Sequence, residues 1–283
     1  VTTWRLIQSG PATAAMNMAT DEAIMQFHGQ GLVPPTLRLY TWQPAGVSIG
    51  YFQALSREID LDACRQAGFG IVRRPTGGRA VLHDDELTYS VVIAESILPG
   101  TVLETYRFLS RGLLEGFRLL DVPADLTNPP SQGRSGGGAV ASGASGSGAS
   151  GSAACFDAPS WYELTSAGKK IVGSAQTRHG GVILQHGAII LHLDVDRLLT
   201  TMRFPSDQVR ERVRRTLVAK AGGVDQVAGR RIAPEEMARA ISAGFSSGLG
   251  VVLEDGALTP EESALADELE RTKYNQDSWN LRK

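Results

Sequence analysis

The sequence predicts an α+β fold built on mixed β-sheets. Three observations carry this expectation. Strand-like apolar segments come in clusters and pairs instead of alternating strictly with helices, which disfavours a doubly wound parallel sheet. Three helical segments follow one another at the end of the chain. The length, 283 residues with 42% hydrophobic content, suffices for one large core.

Each element has a local reason. Residues 4–8 read as a short strand. Residues 14–28 form a helix, because Met16, Ala19, Ala23, Ile24 and Phe27 recur at three- and four-residue spacing. Residues 36–42 and 47–53 alternate as strands around the turn Pro44-Ala45-Gly46. Residues 57–67 are helical with Cys64 on the apolar side, 70–74 are extended, and 87–94 form a β-branched strand. Residues 102–120 form a helix that buries Leu103, Tyr106, Leu109, Leu113 and Phe117. Strands are expected at 161–165, 170–178, 181–185 and 188–193, and helices at 207–221, 234–248 and 260–273.

Composition narrows the function classes. A formal net charge of −2 argues against nucleic-acid binding, which relies on a basic excess. No apolar run reaches the roughly 18 residues of a membrane span, and the start VTTWRLIQSG lacks the pattern of a secretory signal. Two cysteines, Cys64 and Cys155, are too few for a disulfide framework and suit a reducing cytoplasm. Eight of the 32 glycines fall in residues 131–154, where Gly, Ser and Ala supply 21 of 24 residues. That stretch lacks the apolar side chains that offset ordering entropy, so it reads as a flexible loop. Either an interdomain linker or a surface insertion within one domain fits it.

Four segments have residues suited to chemistry. In Arg73-Arg74-Pro75-Thr76-Gly77-Gly78-Arg79-Ala80-Val81-Leu82-His83-Asp84, a Pro-Thr-Gly-Gly turn lets backbone amides approach a ligand, and flanking guanidiniums suit a phosphate or carboxylate. A plain β-turn with solvated arginines, and a His83 that is merely a satisfied polar residue, fit the same spacing. In Ala154-Cys155-Phe156-Asp157-Ala158-Pro159-Ser160-Trp161, Cys155 closes the glycine tract, where a large substrate could reach its thiol; a small buried hydrophobe is the plainer reading. In Lys169-Lys170-Ile171-Val172-Gly173-Ser174-Ala175-Gln176, alternation places Lys170, Val172, Ser174 and Gln176 on one face, with Lys170 aimed into a cleft or simply solvated at a hairpin. In residues 184–192, Gly187 interrupts a buried-strand pattern, through a bulge or a close ligand approach, and His186 is a ligand contact or a core histidine. Metal-ligand spacing, a G-x-S-x-G elbow and a Walker lysine are all missing from the sequence, so no metal is expected. The run Arg210, Arg212, Arg214, Arg215 and Lys220 reads as a solvated helix face, or as a dock for an acidic partner.

Taken together, Arg-Arg-x-x-Gly-Gly-x-Ala-Val-x-His-Asp, then Lys-Ile-x-Gly-Ser-Ala, then His-Gly resembles the lipoate–protein ligase A / octanoyltransferase / biotin–protein ligase superfamily. Lys273-Tyr274 followed by Asp277-Ser278-Trp279-Asn280 is similar to its terminal signature. Within it, Ala-Cys-Phe-Asp-Ala-Pro-Ser before Lys-Ile-x-Gly-Ser-Ala-Gln resembles the LipM type, octanoyl-[acyl-carrier-protein]:protein N-octanoyltransferases. The resemblance implies one α+β catalytic domain over residues 1–283, with a large and a small mixed sheet; the flexible Gly/Ser/Ala-rich insertion at 131–154 is where the sequence departs from the family pattern. It implies transfer of an octanoyl group from octanoyl-acyl-carrier protein to a lysine of a lipoyl domain, such as the glycine cleavage H protein. Cys155 falls on the acyl-accepting nucleophile and Lys170 on the invariant lysine, which would favour the thiolate and later help orient or deprotonate the incoming lysine amine. Arg73, Arg74, Gly77, Gly78, Arg79 and His83, with Gly173, Ser174 and Gln176, fall on the walls of the acyl pocket. His186 and Gly187 fall on the strand that closes it. The thioester donor is already activated, so neither ATP nor a metal is expected, and the donor's phosphopantetheine is the only prosthetic group. Burying the octanoyl tail supplies roughly 5 kcal/mol for chain-length selection, at about 0.8 kcal/mol per methylene. A monomer is the default for this type.

Other readings within the resemblance are an ATP-dependent lipoate–protein ligase and a transferase moving octanoate between lipoyl domains. Cys155 in its local context argues against the first, as does Arg79 at the position of the ligases' third glycine. From a different class comes a non-catalytic acyl-binding module, against which the joint presence of Cys155 and Lys170 speaks.

Overall fold

The computed structural model describes residues 2–54, 59–126 and 164–282. Strands β1 (Thr3–Ala12), β2 (Thr36–Trp42), β3 (Gly46–Ile49), β4 (Gly70–Arg73), β5 (Val81–His83), β6 (Glu86–Ala94), β7 (Asp125–Leu126), β8 (Leu164–Ser166), β9 (Lys169–His179), β10 (Val182–Ile190) and β11 (Val252–Asp255) form two sheets. Among the described residues, the large sheet has eight strands in the order β11-β1-β2-β6-β10-β9-β8-β7, and the small one has three, β4-β3-β5. Both are mixed: β1 runs parallel to β2 and β11, and β3 to β4, while the other pairs are antiparallel. The fold is thus an α+β arrangement of a large and a small mixed sheet flanked by helices.

Side-chain alternation divides the large sheet into two faces. Leu37 and Leu39 of β2, Leu87, Tyr89 and Val91 of β6, and Ile183 and Ile189 of β10 join a core with Leu109, Leu113 and Phe117 of helix α3. That helix covers Val102–Leu119, and a reciprocal Thr101–Glu104 capping box fixes its start. Helices α1 (Ala14–Gly29) and α2 (Leu61–Gln66) precede it; α4 (Val195–Leu199), α5 (Asp207–Lys220), α6 (Val224–Ala228), α7 (Pro234–Leu249), α8 (Pro260–Leu269) and α9 (Asp277–Asn280) follow. Phe245 and Ile241 of α7 complete this core. Helices α3 and α7 approach so closely that a Cβ on Gly244 would lie 2.3 Å from the Gly116 nitrogen and 2.5 Å from the Gly112 oxygen. The opposite face meets α1 and the small sheet, and the candidate site lies there.

The structure departs from the sequence expectations in definite places. Residues 182–190 form one unbroken strand, because Gly187 keeps its pairing on both sides, with Tyr89 and with Ser174. There is no bulge at Gly187. Strands β5 and β11 and the short helices α4, α6 and α9 are additional, all too brief to show a period. Strand β3 stops at Ile49 because the chain turns at Gly50. Leu103, expected inside, is 47% exposed. The last long helix ends at Leu269 and continues as a π turn over Glu270–Tyr274. Cys64 is buried on α2, as expected, and burial pushes its thiol up to about 11. No helix among the described residues is long and apolar enough to cross a membrane.

Candidate active site

A partly open pocket of about 380 Å³, mouth included, lies between the large sheet and the small sheet. Gly173–Ala175 of β9 and His186–Ala188 of β10 form one wall; Met18, Trp42, Ser48, Arg74, Val81, His83 and Thr88 line the rest. Its surface is mostly apolar. A narrow slot walled by glycine and alanine positions suits an unbranched acyl chain.

Of the residues singled out from the sequence, the pocket brings together Arg74, His83, Gly173, Ser174, His186 and Gly187. Gly77 and Gln176 line a second, larger cleft beside it, together with Tyr51, Phe52, Arg178, Lys273 and Trp279. Arg73, Gly78, Arg79 and Lys170 do not line the first pocket. Cys155 and the 131–154 tract lie outside the described residues.

The paired arginines are neither solvated nor held out as anion ligands. Arg73 is 1% exposed and donates to the carbonyls of Gly50 at 2.7 Å, Gln53 at 2.9 Å and Arg282 at 2.8 Å. Arg74 donates to the carbonyls of Ser48 at 3.0 Å, Gly77 at 2.7 Å and Arg79 at 2.8 Å. Each guanidinium thus cross-links a turn, since five N–H donors can satisfy several carbonyls that strand pairing leaves open. The terminal signature serves the same end. The Asn280 side chain accepts from the Arg73 amide at 2.8 Å, and the Trp279 indole donates to the Arg73 carbonyl at 2.9 Å.

Gly78 has φ +95°, and a Cβ there would lie 2.8 Å from Arg74 Nη2. A Cβ on Gly187 would lie 2.5 Å from Ser174 Oγ and 2.7 Å from Tyr89 Cε1, on the sheet face opposite the pocket. Close packing with Tyr89 therefore excludes a side chain at Gly187. Ser174 and Gln176 also turn to that face. Ser174 Oγ meets the Tyr89 hydroxyl at 2.8 Å, and Gln176 Nε2 donates to Thr105 Oγ1 and Gln185 Oε1, both at 3.0 Å.

Lys170 does not share their face. Strand β9 has a bulge: Leu164 pairs with Val172, but Thr165 pairs with Lys170, which leaves Ile171 as the extra residue. Ile171 and Val172 both enter the α3–α7 core. Leu164 joins that core, so Thr165 and its partner Lys170 fall on the opposite face, with Gly173, Ala175, His186 and Ala188. The bulge re-aims the lysine toward the pocket side, where it is 4% exposed.

A buried polar network supports the pocket. His186 Nε2 lies 2.6 Å from Thr76 Oγ1, and its Nδ1 lies 3.5 Å from Asp21 Oδ2. Asp21 accepts from Arg38 and Ser90 at 2.8 Å and from Tyr40 at 2.9 Å. Burial would raise the Asp21 carboxyl, but Arg38 and then His186 outweigh it and hold it below the ordinary value. Burial in turn holds His186 below its ordinary value against the pull of Asp21, so at neutral pH the ring is uncharged. His83 stacks on Trp42 at 3.8 Å and 11°, with Nε2 2.8 Å from Ser48 Oγ. Sequence reasoning missed Asp21, Arg38, Tyr40 and Thr76. The available signal was Asn17 and Asp21, polar residues one turn apart among the apolar positions that mark α1.

The fold and this site define a class, and a model of the lipoyl protein ligase A/B catalytic domain matches residues 13–246; the chain belongs to that family. Within it, the chain is similar to octanoyltransferase LipM of Kyrpidia tusciae, with 51% identity over 283 residues and 99% of both chains covered. It is 44% identical to octanoyltransferase LipM of Bacillus subtilis, again with 99% of both covered. Its structure is similar to that of a bi-partite lipoate protein ligase from Thermoplasma acidophilum, with TM-score 0.80, 26% identity and 100% and 99% of the two chains covered. It is also similar to a lipoate-protein ligase A bound with ATP, at TM-score 0.77, 27% identity and 99% and 98% coverage.

Proposed function

We propose that this octanoyl-transferring acyltransferase of lipoate biosynthesis works in two half-reactions through Cys155. In the first, the Cys155 thiolate attacks the thioester carbonyl of octanoyl-acyl-carrier protein. The carrier's phosphopantetheine thiol leaves, and the octanoyl group is held on Cys155. In the second, a lysine of a lipoyl domain, such as that of the glycine cleavage H protein, attacks the acyl-enzyme and forms the amide. Thioester exchange is nearly isoenergetic and amide formation is downhill, so neither ATP nor a metal enters. We read the chain as one catalytic domain acting as a monomer in the cytoplasm, where a free nucleophilic thiol suits the reducing poise.

One observation carries the reading most directly. The β9 bulge turns Lys170 onto the pocket face, where an ammonium would favour a nearby thiolate over the free-cysteine pKa of about 8.5. That Arg73 and Arg74 are committed to carbonyls supports the route without a nucleotide. The slot between β9, β10 and the small sheet would take the octanoyl tail, with His83, His186 and the backbone of Gly173–Ala175 around the acyl head. Mass spectrometry after mixing with octanoyl-acyl-carrier protein, without ATP, is expected to show an octanoyl adduct on Cys155. Undiminished turnover in Cys155→Ala refutes the mechanism.

A further inference from the structure

Helix α5 carries five cations, Arg210, Arg212, Arg214, Arg215 and Lys220, against two carboxylates, Asp207 and Glu211, in a chain whose formal net charge is −2. Its apolar side fixes where it lies. Leu217 and Ala221 share a core cluster with Val47 and Ile49 of β3 and with Ala188 and Ile190 of β10. Ala188 also lines the acyl slot, so α5 sits on the pocket side of the large sheet, beside the small one. The end of the helix is fastened to β9. Ala221 bridges Lys170 in parallel, and the Gly222 amide donates to the Lys170 carbonyl at 3.1 Å. A Cβ on Gly222 would lie 3.2 Å from Lys169 Cδ, so the Lys169 side chain lies along this junction.

The cations of α5 divide into two groups. Arg214 is neutralised by Asp196 at 2.9 Å, and Arg210 adds to the field on the same carboxylate. The other group follows a ridge. Gln208, Arg212, Thr216 and Lys220 stand four residues apart on one side of the helix, with no carboxylate among them. Arg212 and Lys220 are exposed and, like Lys169 beyond them, form no ion pair among the described residues. Arg215, next to Arg212 on the following turn, has a side chain 73% exposed and only touches Glu211, at 3.9 Å. Elsewhere on the surface arginines are closely paired: Arg118 with Glu115 and Arg230 with Glu236, both at 2.6 Å. A cation in the last turn offsets the helix dipole, which accounts for Lys220 but not for Arg212 and Arg215 in mid-helix. The strip therefore keeps positive charge that leads to the strand of Lys170.

A fixed anion on a flexible tether matches such a strip. The donor read above is a carrier protein whose octanoyl thioester hangs on phosphopantetheine, so a phosphodiester comes with every acyl group. Roughly 13 bonds separate its phosphorus from the thioester sulfur, a reach of about 15 Å in an extended chain. From Arg212 to Ala221 the helix advances about 13 Å. The two lengths agree, and paired guanidiniums hold a phosphate through charge-assisted hydrogen bonds. The acceptor, by contrast, presents a lysine at its reacting end, which this strip repels.

We propose that the Arg212–Lys220 ridge, with Arg215, docks the donor carrier protein: Arg212 and Arg215 take the phosphodiester, and the arm runs along Thr216 and Lys220 to bring the thioester to Lys170. This rests on the reading of octanoyl-acyl-carrier protein as the donor. No bond is made or broken at the strip.

The test is initial-rate octanoyl transfer by the native chain and by the double variant Arg212→Ala, Arg215→Ala. Two donors are compared: octanoyl-acyl-carrier protein, and octanoyl-pantetheine, which lacks both phosphate and carrier. For the carrier-bound donor the variant's KM is expected to rise about tenfold with kcat near native, since rim charges govern encounter. Added salt should raise the native KM for that donor and leave the variant's nearly flat. KM for octanoyl-pantetheine and for the apo lipoyl domain should not move, and the melting temperature should stay within about 2 °C. An unchanged donor KM overturns the proposal. So does a rise confined to the lipoyl domain, which would make the strip the acceptor's dock, or a rise shared by octanoyl-pantetheine, which would place the effect in the pocket. A native chain that takes octanoyl-pantetheine but refuses the carrier-bound donor refutes the donor reading first, and the docking strip with it.

Discussion

Asp21 offers the sharpest test of how the site is held. It is fully buried, its two oxygens receive Arg38, Ser90 and Tyr40, and His186 faces it. Asp21→Ala leaves the Arg38 guanidinium, 1% exposed, without its counter-charge, although Asn17 and Ser9 still accept from it. Removing one partner of a buried pair costs about 3–5 kcal/mol. At roughly 2–4 °C per kcal/mol for chains approaching this size, the melting temperature should fall by about 10 °C. The pH dependence has a definite sign. The folded Asp21 carboxyl lies below its ordinary value of 3.8, so its contribution is complete above that value and is lost as pH falls through the folded pKa. His186 lies below 6.5, so the unfolded chain takes up its proton first, and stability already declines as pH drops below that value. Thermal melts of native and variant chains between pH 3 and pH 8 measure both effects. A variant melting within about 2 °C of the native chain would refute the reasoning, as would a native stability that is flat with pH.

Two glycines make further claims. Gly187→Ala places a Cβ within 2.8 Å of Ser174 Oγ, Tyr89 Cε1 and the Gly173 carbonyl, so it should cost about 1–3 kcal/mol in chemical denaturation and lower octanoyl transfer by displacing the pocket wall. Gly244→Ala drives backbone against backbone between α3 and α7, far from the pocket. Its expected signature is a destabilisation of at least that size, with kcat per folded molecule unchanged.

The long periodic elements were legible because local pattern decides them. The spacing of Met16, Ala19, Ala23 and Ile24 marks α1, and the β-branched run of β6 needs no partner to be recognised. The β9 face was misread for a physical reason. A bulge is a property of pairing with β8, and nothing in Lys169–Gln176 alone shows that Ile171 has no opposite number. Arg73 was misread likewise, because the carbonyls that engage it come from Gly50, Gln53 and Arg282, distant in sequence.

The sequence by itself determined the α+β class, the order of the main elements and the family, since motif spacing and hydrophobic period are written along the chain. It also singled out six residues that the fold gathers around one pocket. Only the tertiary structure decided onto which face Lys170 falls and that Asp21 and Arg38 brace His186. Those facts depend on register, burial and long-range hydrogen bonds, which arise when strands distant in sequence become neighbours.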